Sequence, residues 1–126
     1  MNRLWLGIGL MVVLLGLGIG VGSYMNTTGS AISVTLDSAS EAALSGDLQT
    51  ASLLAEEAKD KWDTVWHRIA AMADHAPMDE IDSLFAQLKN YATAEAASDF
   101  AAYCARISQL ILAVGEAHSF NWWNLL

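Results

Sequence analysis

Residues 62–82 contain the side chains whose types and spacing could do chemistry. Trp62 and Trp66 are one helical turn apart, and His75 follows directly after Asp74. A histidine flanked by carboxylates can bind a metal ion or change its charge near neutral pH, and paired tryptophans can line an apolar ligand. Six residues therefore form a possible ligand or partner surface: Trp62, Trp66, Asp74, His75, Asp79 and Asp82.

Ordinary packing explains most of these residues as well. Both tryptophans lie on or beside an apolar stripe, where aromatic side chains usually fill a core. His75 can instead hydrogen-bond to the nearby acids and tie a helix-to-helix corner, which competes with a pH-sensitive or metal-binding role. His67 follows Asp63 by four residues, but two ligands are too few for a specific metal site. The sequence predicts no metal, no cofactor and no catalytic residue.

The single cysteine and the absence of standard catalytic motifs argue against an enzyme. Cys104 lies in an apolar stripe, as expected for a buried cysteine that acts as a small hydrophobe. One cysteine forms neither an intrachain disulfide nor a Cys/His zinc motif. The HExxH, GxSxG, P-loop and GxGxxG motifs do not occur in the sequence. We expect a protein without enzymatic activity.

Size and charge restrict the partners. The 126 residues leave room for one domain beside an apolar N-terminal segment. Six Lys and Arg residues stand against 14 Asp and Glu residues, which gives a net charge of −8. Nucleic acids are excluded as partners because their phosphates require basic patches.

Residues 4–22 form an uncharged apolar run that can span a membrane. These 19 residues extend about 28 Å as a helix, close to the roughly 30 Å hydrocarbon core of a bilayer. Arg3 is the only cationic side chain before Lys59, so the positive-inside rule places the N-terminus in the cytoplasm. We predict an uncleaved anchor in the lipid bilayer. The alternative is a signal peptide cleaved after Ala31, which would give a secreted protein.

Four glycines in this run are spaced as in associating membrane helices. They contain two overlapping GxxxG spacings: Gly16, Gly18, Gly20 and Gly22. Such spacings let two helices approach closely, although glycine is common in membrane helices for other reasons too. The pattern is compatible with a homo-oligomer through these glycines.

Composition divides the chain into three parts. Residues 1–25 comprise the cytoplasmic N-terminus and the membrane helix. Residues 26–36 are rich in Ser, Thr, Gly and Asn, which predicts a polar linker. Residues 37–126 are expected to form an acidic, extracytoplasmic helical bundle.

The bundle region carries helical apolar stripes separated by turn signals. Gly46 is expected to end the first bundle helix and Asp47 to cap the next. Pro77 predicts a turn, and a change of helical phase predicts a break near Ser98. The stripes occupy residues 48–72, 81–92 and 100–114. No alternating strand pattern competes, so we predict an all-α fold: an N-terminal transmembrane helix followed by a small antiparallel three- to four-helix bundle.

The sequence ends in an apolar and aromatic stretch, residues 120–126. Aromatic surface of this size is rarely left in water. We expect the stretch to pack on the bundle, and the alternative is contact with the outer membrane interface, which tryptophan favours.

Several of these features occur together in a known family. They are the membrane anchor, Gly46-Asp47, Trp62, Asp74-His75, Ile81-Asp82 and the Asn-Leu-Leu of residues 124–126. In this combination the chain resembles a family of small bacterial membrane proteins, the domain of unknown function DUF4363. The family pattern has acidic residues directly after the histidine, where this chain has Ala76 and Pro77, which argues against a shared metal site. The resemblance implies no assigned activity and supplies no catalytic residue.

These observations predict a single-pass protein of the bacterial cell membrane. Its helical bundle is expected to serve outside the membrane as a non-enzymatic interaction or structural module for an unknown membrane or envelope protein. The alternative is an extracytoplasmic sensor or ligand-binding domain that uses the Asp-His corner near residue 75. A sensor should hold a ligand or metal, whereas an interaction module should bring a partner chain with it from the membrane.

Overall fold

Four α-helices make up most of the described chain. The computed structural model describes residues 2–69 and 75–118, and no strand occurs within these two ranges. The helices, α1 to α4, are Asn2–Leu44, Leu48–Ile69, His75–Leu88 and Ala97–His118. Two 3₁₀ turns, Lys89–Tyr91 and Ala94–Ala96, connect α3 to α4. The predicted all-α fold, a long apolar N-terminal helix followed by a helical bundle, is confirmed.

Helix α1 continues without interruption from the apolar run into the bundle. Met25, Ile32 and Leu36 lie in the core, whereas the apolar run is largely exposed. The polar linker predicted for residues 26–36 is therefore wrong, because this stretch is part of α1. The composition of this stretch suggested a linker, but serine and threonine also occur inside helices, where their hydroxyls can donate to a carbonyl of the preceding turn. The hydroxyl of Thr35 does so.

By length and composition, α1 is a helix that can cross a membrane. Its 43 residues extend about 65 Å at about 1.5 Å per residue, roughly twice the hydrocarbon core of a bilayer. One half of α1 is thus long enough to span, while the other half packs in the bundle.

Helix α1 is the central helix and packs along α2 and α4, while α3 lies mainly against α4. A Cβ atom added to Gly29 would lie 3.4 Å from Cγ2 of Ile111, and one added to Gly115 would lie 3.5 Å from the carbonyl oxygen of Met25. Residue numbers fall along α1 as they rise along α4, so these helices are antiparallel. Both distances are ordinary van der Waals contacts, so α1 and α4 are in direct contact at both places.

The predicted apolar stripes correspond to the buried faces of the helices. Within the described residues, those of α2, α3 and α4 supply several of the largest fully buried side chains, Trp62, Ile81, Leu88, Phe100 and Ile107. Met78 is also fully buried, although it lies before the stripe predicted for residues 81–92. Helix α3 ends at Leu88 and α4 begins at Ala97, so the break expected near Ser98 is a connection that already begins at Lys89. Its two 3₁₀ turns change the direction of the chain. The apolar positions of α4 therefore do not continue the helical spacing of those in α3.

The turn between α1 and α2 depends on Gly46. Its φ of 86° lies in the left-handed region, as predicted for a helix stop. The amide of Gly46 donates to the carbonyl of Ala43 at 3.1 Å, and the amide of Asp47 donates to that of Ala42 at 2.9 Å. Asp47 caps α2, because its carboxylate accepts from the amide of Thr50 at 3.2 Å.

We expect Gly46→Ala to lower the free energy of unfolding by about 1–2 kcal/mol, because a Cβ atom is strained at positive φ. Thermal unfolding followed by circular dichroism measures the loss. Gln49→Ala, at an exposed position of α2, is the matched control and should change stability by less than about 0.5 kcal/mol. Equal losses in both variants would contradict the role of Gly46.

Candidate functional site

The chemically capable side chains of α2 and α3 meet around Asp82. Its Oδ1 accepts from the indole Nε1 of Trp62 at 3.1 Å and from Nζ of Lys59 at 3.0 Å. Lys59 also donates to Asp63, and its ammonium lies 5.9 Å from the ring centre of Phe85. We call Lys59, Trp62, Asp63 and Asp82 the polar network. It joins α3 to α2 through one carboxylate.

Lys59 is the cation of this network. Partial burial alone would lower the pKa of Lys59, but hydrogen bonds and attraction from Asp63 and Asp82 outweigh it and raise the pKa above its ordinary value. Lys59 therefore stays charged at neutral pH. It is suited to hold carboxylates in place rather than to accept a proton.

His75 contacts a tryptophan. Its ring centre lies 5.3 Å from that of Trp66, with the planes at 82°, an edge-to-face arrangement. Of the acids predicted to surround His75, Asp82 belongs to the polar network, Asp79 is exposed, and Asp74 lies outside the described residues.

The six residues of the predicted surface thus fall into separate groups. Trp62 pairs with Asp82 and is only 1 % exposed, so it is a core residue with a polar tip. Trp66, one helical turn further along α2, pairs with His75. Sequence reasoning missed Lys59, although a lysine four residues before an acid on one helix face is a recognisable signal for an ion pair.

A cleft of about 440 Å³ opens beside the polar network. Its apolar lining comes from α2, α3, α4 and the connection: Ala55, Phe85, Leu88, Ala92 and Phe100. Its polar lining is balanced in charge: Ser52, Glu56, Lys59, Asp60 and Lys89. The volume is within the range of about 300–1,000 Å³ typical of small-molecule sites. The cleft was not predictable from the sequence, because its lining is assembled from segments distant in the chain.

Cys104 is buried in α4 and is 1 % exposed. Burial, with a smaller contribution from the negative charge of Asp37, raises the pKa of the Cys104 thiol to about 12. The thiolate is the reactive form, so the native side chain is unsuited to nucleophilic chemistry.

We expect the folded protein to react with iodoacetamide at pH 8 about 100-fold or more slowly than the denatured protein, because Cys104 is both inaccessible and protonated. The rate is measured by mass spectrometry of the intact chain. A Gln49→Cys, Cys104→Ala variant places the thiol on an exposed position of α2 and should react rapidly when folded. Equal native and denatured rates for Cys104 would show that the thiol is accessible.

Metal ligands are not grouped in the described chain. Within residues 2–69 and 75–118, no three His, Cys, Asp or Glu side chains are placed to hold one ion. The arrangement that is present can pair charges between helices and accept a small amphipathic molecule in the cleft.

Comparison with known proteins gives a family and no individual relative. No curated protein and no solved structure matches the chain. A family model described as a domain of unknown function matches residues 19–125, which include the end of the apolar run and the whole described bundle. The resemblance noted from the sequence is thereby confirmed, and the chain belongs to the DUF4363 family.

Proposed function

We propose that the chain is a single-pass protein of the bacterial cell membrane whose bundle acts outside the cytoplasm as a non-enzymatic interaction module. The observation that carries this proposal is the continuity of α1. The N-terminal part of α1 is the apolar run, and the rest of the same helix is the central helix of the bundle. Such a helix holds the bundle at a fixed height above the membrane.

The exposure of the apolar run supports a spanning role. Leu6, Val13 and Leu17 of this run are 72 %, 58 % and 62 % exposed, and none of the most apolar window is buried inside the chain. Apolar surface of this extent is not stable in water and requires a lipid or protein environment. Arg3 before the run favours a cytoplasmic N-terminus.

Two valines of α1 provide a matched test. Val13 and Val34 are 58 % and 65 % exposed, but Val13 is at the centre of the apolar run and Val34 is in the bundle. An arginine at the centre of a spanning helix costs about 2.5–3.5 kcal/mol of insertion free energy. We expect Val13→Arg to reduce the fraction that resists alkaline carbonate extraction, whereas Val34→Arg should not.

The outcome is read by fractionating cells that express each full-length variant. Retention of Val13→Arg at the wild-type level would contradict a membrane span. Protease added outside spheroplasts tests the orientation, since it should digest the bundle only if the bundle lies outside.

The state of the reactive side chains supports a non-enzymatic role. The Cys104 thiol is buried with a raised pKa, and Lys59 is held as a cation by two carboxylates. Lys59 is thus held as an ammonium and Cys104 as a neutral thiol, which are the less reactive forms of these side chains. An acidic bundle on a rigid stalk is suited to contact a membrane or envelope protein.

Ligand sensing is the second candidate, and the cleft is the observation that favours it. A molecule in the cleft would contact α2, α3 and α4 together and so could shift them relative to one another. Native mass spectrometry of the full-length protein, extracted from membranes in mild detergent, tests both candidates. A bound small molecule favours sensing, and a co-purified partner chain without a small molecule favours interaction.

A matched pair of variants locates any bound molecule. Ala55→Trp fills the cleft, while Ala86→Trp adds the same side chain at an exposed position of α3. We expect a cleft ligand to disappear from the spectrum of Ala55→Trp and to remain in that of Ala86→Trp. Its retention in both variants would place it elsewhere.

Self-association through α1 remains part of the proposal. Gly16 and Gly20 are one turn apart, and a Cβ atom added to either would meet nothing within 4 Å. Gly22 is buried and Gly18 is half-buried, so Gly16 and Gly20 are the more open pair of the four. This pair leaves one face of α1 open for a second copy of the helix.

A further inference from the structure

We infer that the bundle has a second contact with the membrane: the end where α2 stops and α3 begins lies against the lipid head groups of the outer leaflet. We call this surface the membrane-proximal end, and it comprises Tyr24, Trp66, His67, Arg68 and His75. The inference rests on the proposed function, because it takes residues 4–22 as the membrane span.

Contacts between α1 and α2 fix the height of this end. Nη1 of Arg68 donates to the hydroxyl of Tyr24 at 3.2 Å, and the guanidinium carbon lies 5.7 Å from the centre of the Tyr24 ring. Helix α2 ends one residue later at Ile69. The end of α2 is therefore level with Tyr24, only two residues beyond the apolar run.

Helix α4 reaches the same height from the other side. Gly115 packs against Met25 and Asn26 of α1. The last residue of α4, His118, is three residues further on, or about 4.5 Å closer to the membrane. Residues 120–126, for which packing on the bundle was predicted, follow α4 in the sequence but lie outside the described residues.

The depth of this end follows from helix geometry. Tyr24 lies about 3 Å along α1 from Gly22, the last residue of the apolar run. The head-group region of each leaflet is about 5–7 Å thick, so Tyr24 and the end of α2 fall within it. Because α1 is helical throughout this region, no linker separates the bundle from the membrane surface.

The side chains at this end suit a lipid surface. Tyrosine and tryptophan place an apolar body and a polar tip at the interface, and an arginine guanidinium binds phosphate. Trp66 is half-buried, while His67, Arg68 and His75 are exposed. Acids occur at both ends of the bundle, Glu41, Asp47 and Asp99 at the opposite end and Asp79 and Glu116 at this one. The membrane-proximal end is therefore suited to head groups by its aromatic side chains and by the guanidinium of Arg68, and not by a net positive charge.

Two positions on α2 allow a direct test in full-length protein. His67→Cys and Gln49→Cys each place a fluorophore on an exposed site of the same helix, about 27 Å apart along its axis. Each labelled protein is reconstituted into vesicles that contain phosphatidylcholine with a nitroxide on the head group. Cys104 remains in place because it is buried, and circular dichroism confirms that both variants are folded.

We expect quenching at position 67 to exceed that at position 49 by about threefold or more, since contact quenching does not reach across the length of α2. Equal, weak quenching at both sites would overturn the head-group contact. If the protein still resisted alkaline extraction from those vesicles, the anchor would stand and only this inference would fail. Loss of the protein from the vesicles would overturn the proposed span itself.

Discussion

Replacing Trp62 with alanine is expected to lower the free energy of unfolding by about 3–5 kcal/mol. Trp62 is among the largest fully buried side chains, at 1 % exposure, and the two stripe positions that precede it on α2, Ala55 and Ala58, are small. Its removal leaves a cavity and also takes a hydrogen-bond donor from Asp82. A domain of this size has only about 5–15 kcal/mol of stability, so the loss is a large part of the total.

Two further variants separate the causes of this loss. Trp62→Phe keeps most of the ring volume but removes the indole N–H, and it should cost about 1–2 kcal/mol. Trp66→Ala truncates a half-buried tryptophan one turn away and should cost less than Trp62→Ala. Thermal unfolding of the full-length proteins in detergent micelles provides the comparison. Equal losses for the two alanine variants would show that the fully buried Trp62 contributes no more to stability than the half-buried Trp66.

The local features of this fold were readable from the sequence because each depends on a few neighbouring residues. Gly46 stops α1 since it can adopt a positive φ, and Asp47 caps α2 since its carboxylate reaches the next free amide. The stripe of α4 predicted its buried face for the same reason. Helical periodicity is a local property of the chain.

The linker prediction failed because composition does not report tertiary packing. Residues 26–36 contain serine, threonine and glycine, which are typical of loops. In the structure Gly29 packs against Ile111 of α4, and the hydroxyls of Ser33 and Ser108 hydrogen-bond to each other in the interior. Small polar residues here serve close helix packing, which depends on a partner helix about 80 residues away.

The candidate site was predicted only in part for the same physical reason. Trp62, Trp66, His75 and Asp82 were singled out by residue type, but their partners depend on how α3 lies against α2. Asp82 bonds to Trp62 rather than to the corner histidine. The cleft needs residues from three helices and their connection, and one sequence does not show such an assembly.

The continuity of α1 also makes the cleaved and uncleaved forms of the chain physically different. A chain that begins at Ile32 would lack Met25, which is 3 % exposed, and Gly29, which packs on Ile111. It would also lose the contact between Tyr24 and Arg68. A chain that begins at Ser23 would keep all three.

We therefore expect deletion of residues 1–31 to lower the free energy of unfolding of the bundle by on the order of 3 kcal/mol or more relative to deletion of residues 1–22, since a buried methionine alone is worth about 2–5 kcal/mol. Urea unfolding of the two shortened proteins, followed by circular dichroism, measures the difference. The longer deletion also leaves the fully buried Ile32 and Leu36 in a fraying first turn. Equal stabilities would mean that cleavage after Ala31 is compatible with the fold. The expected loss would show that cleavage after Ala31 removes residues that the core needs. That result would favour a chain that keeps its membrane helix.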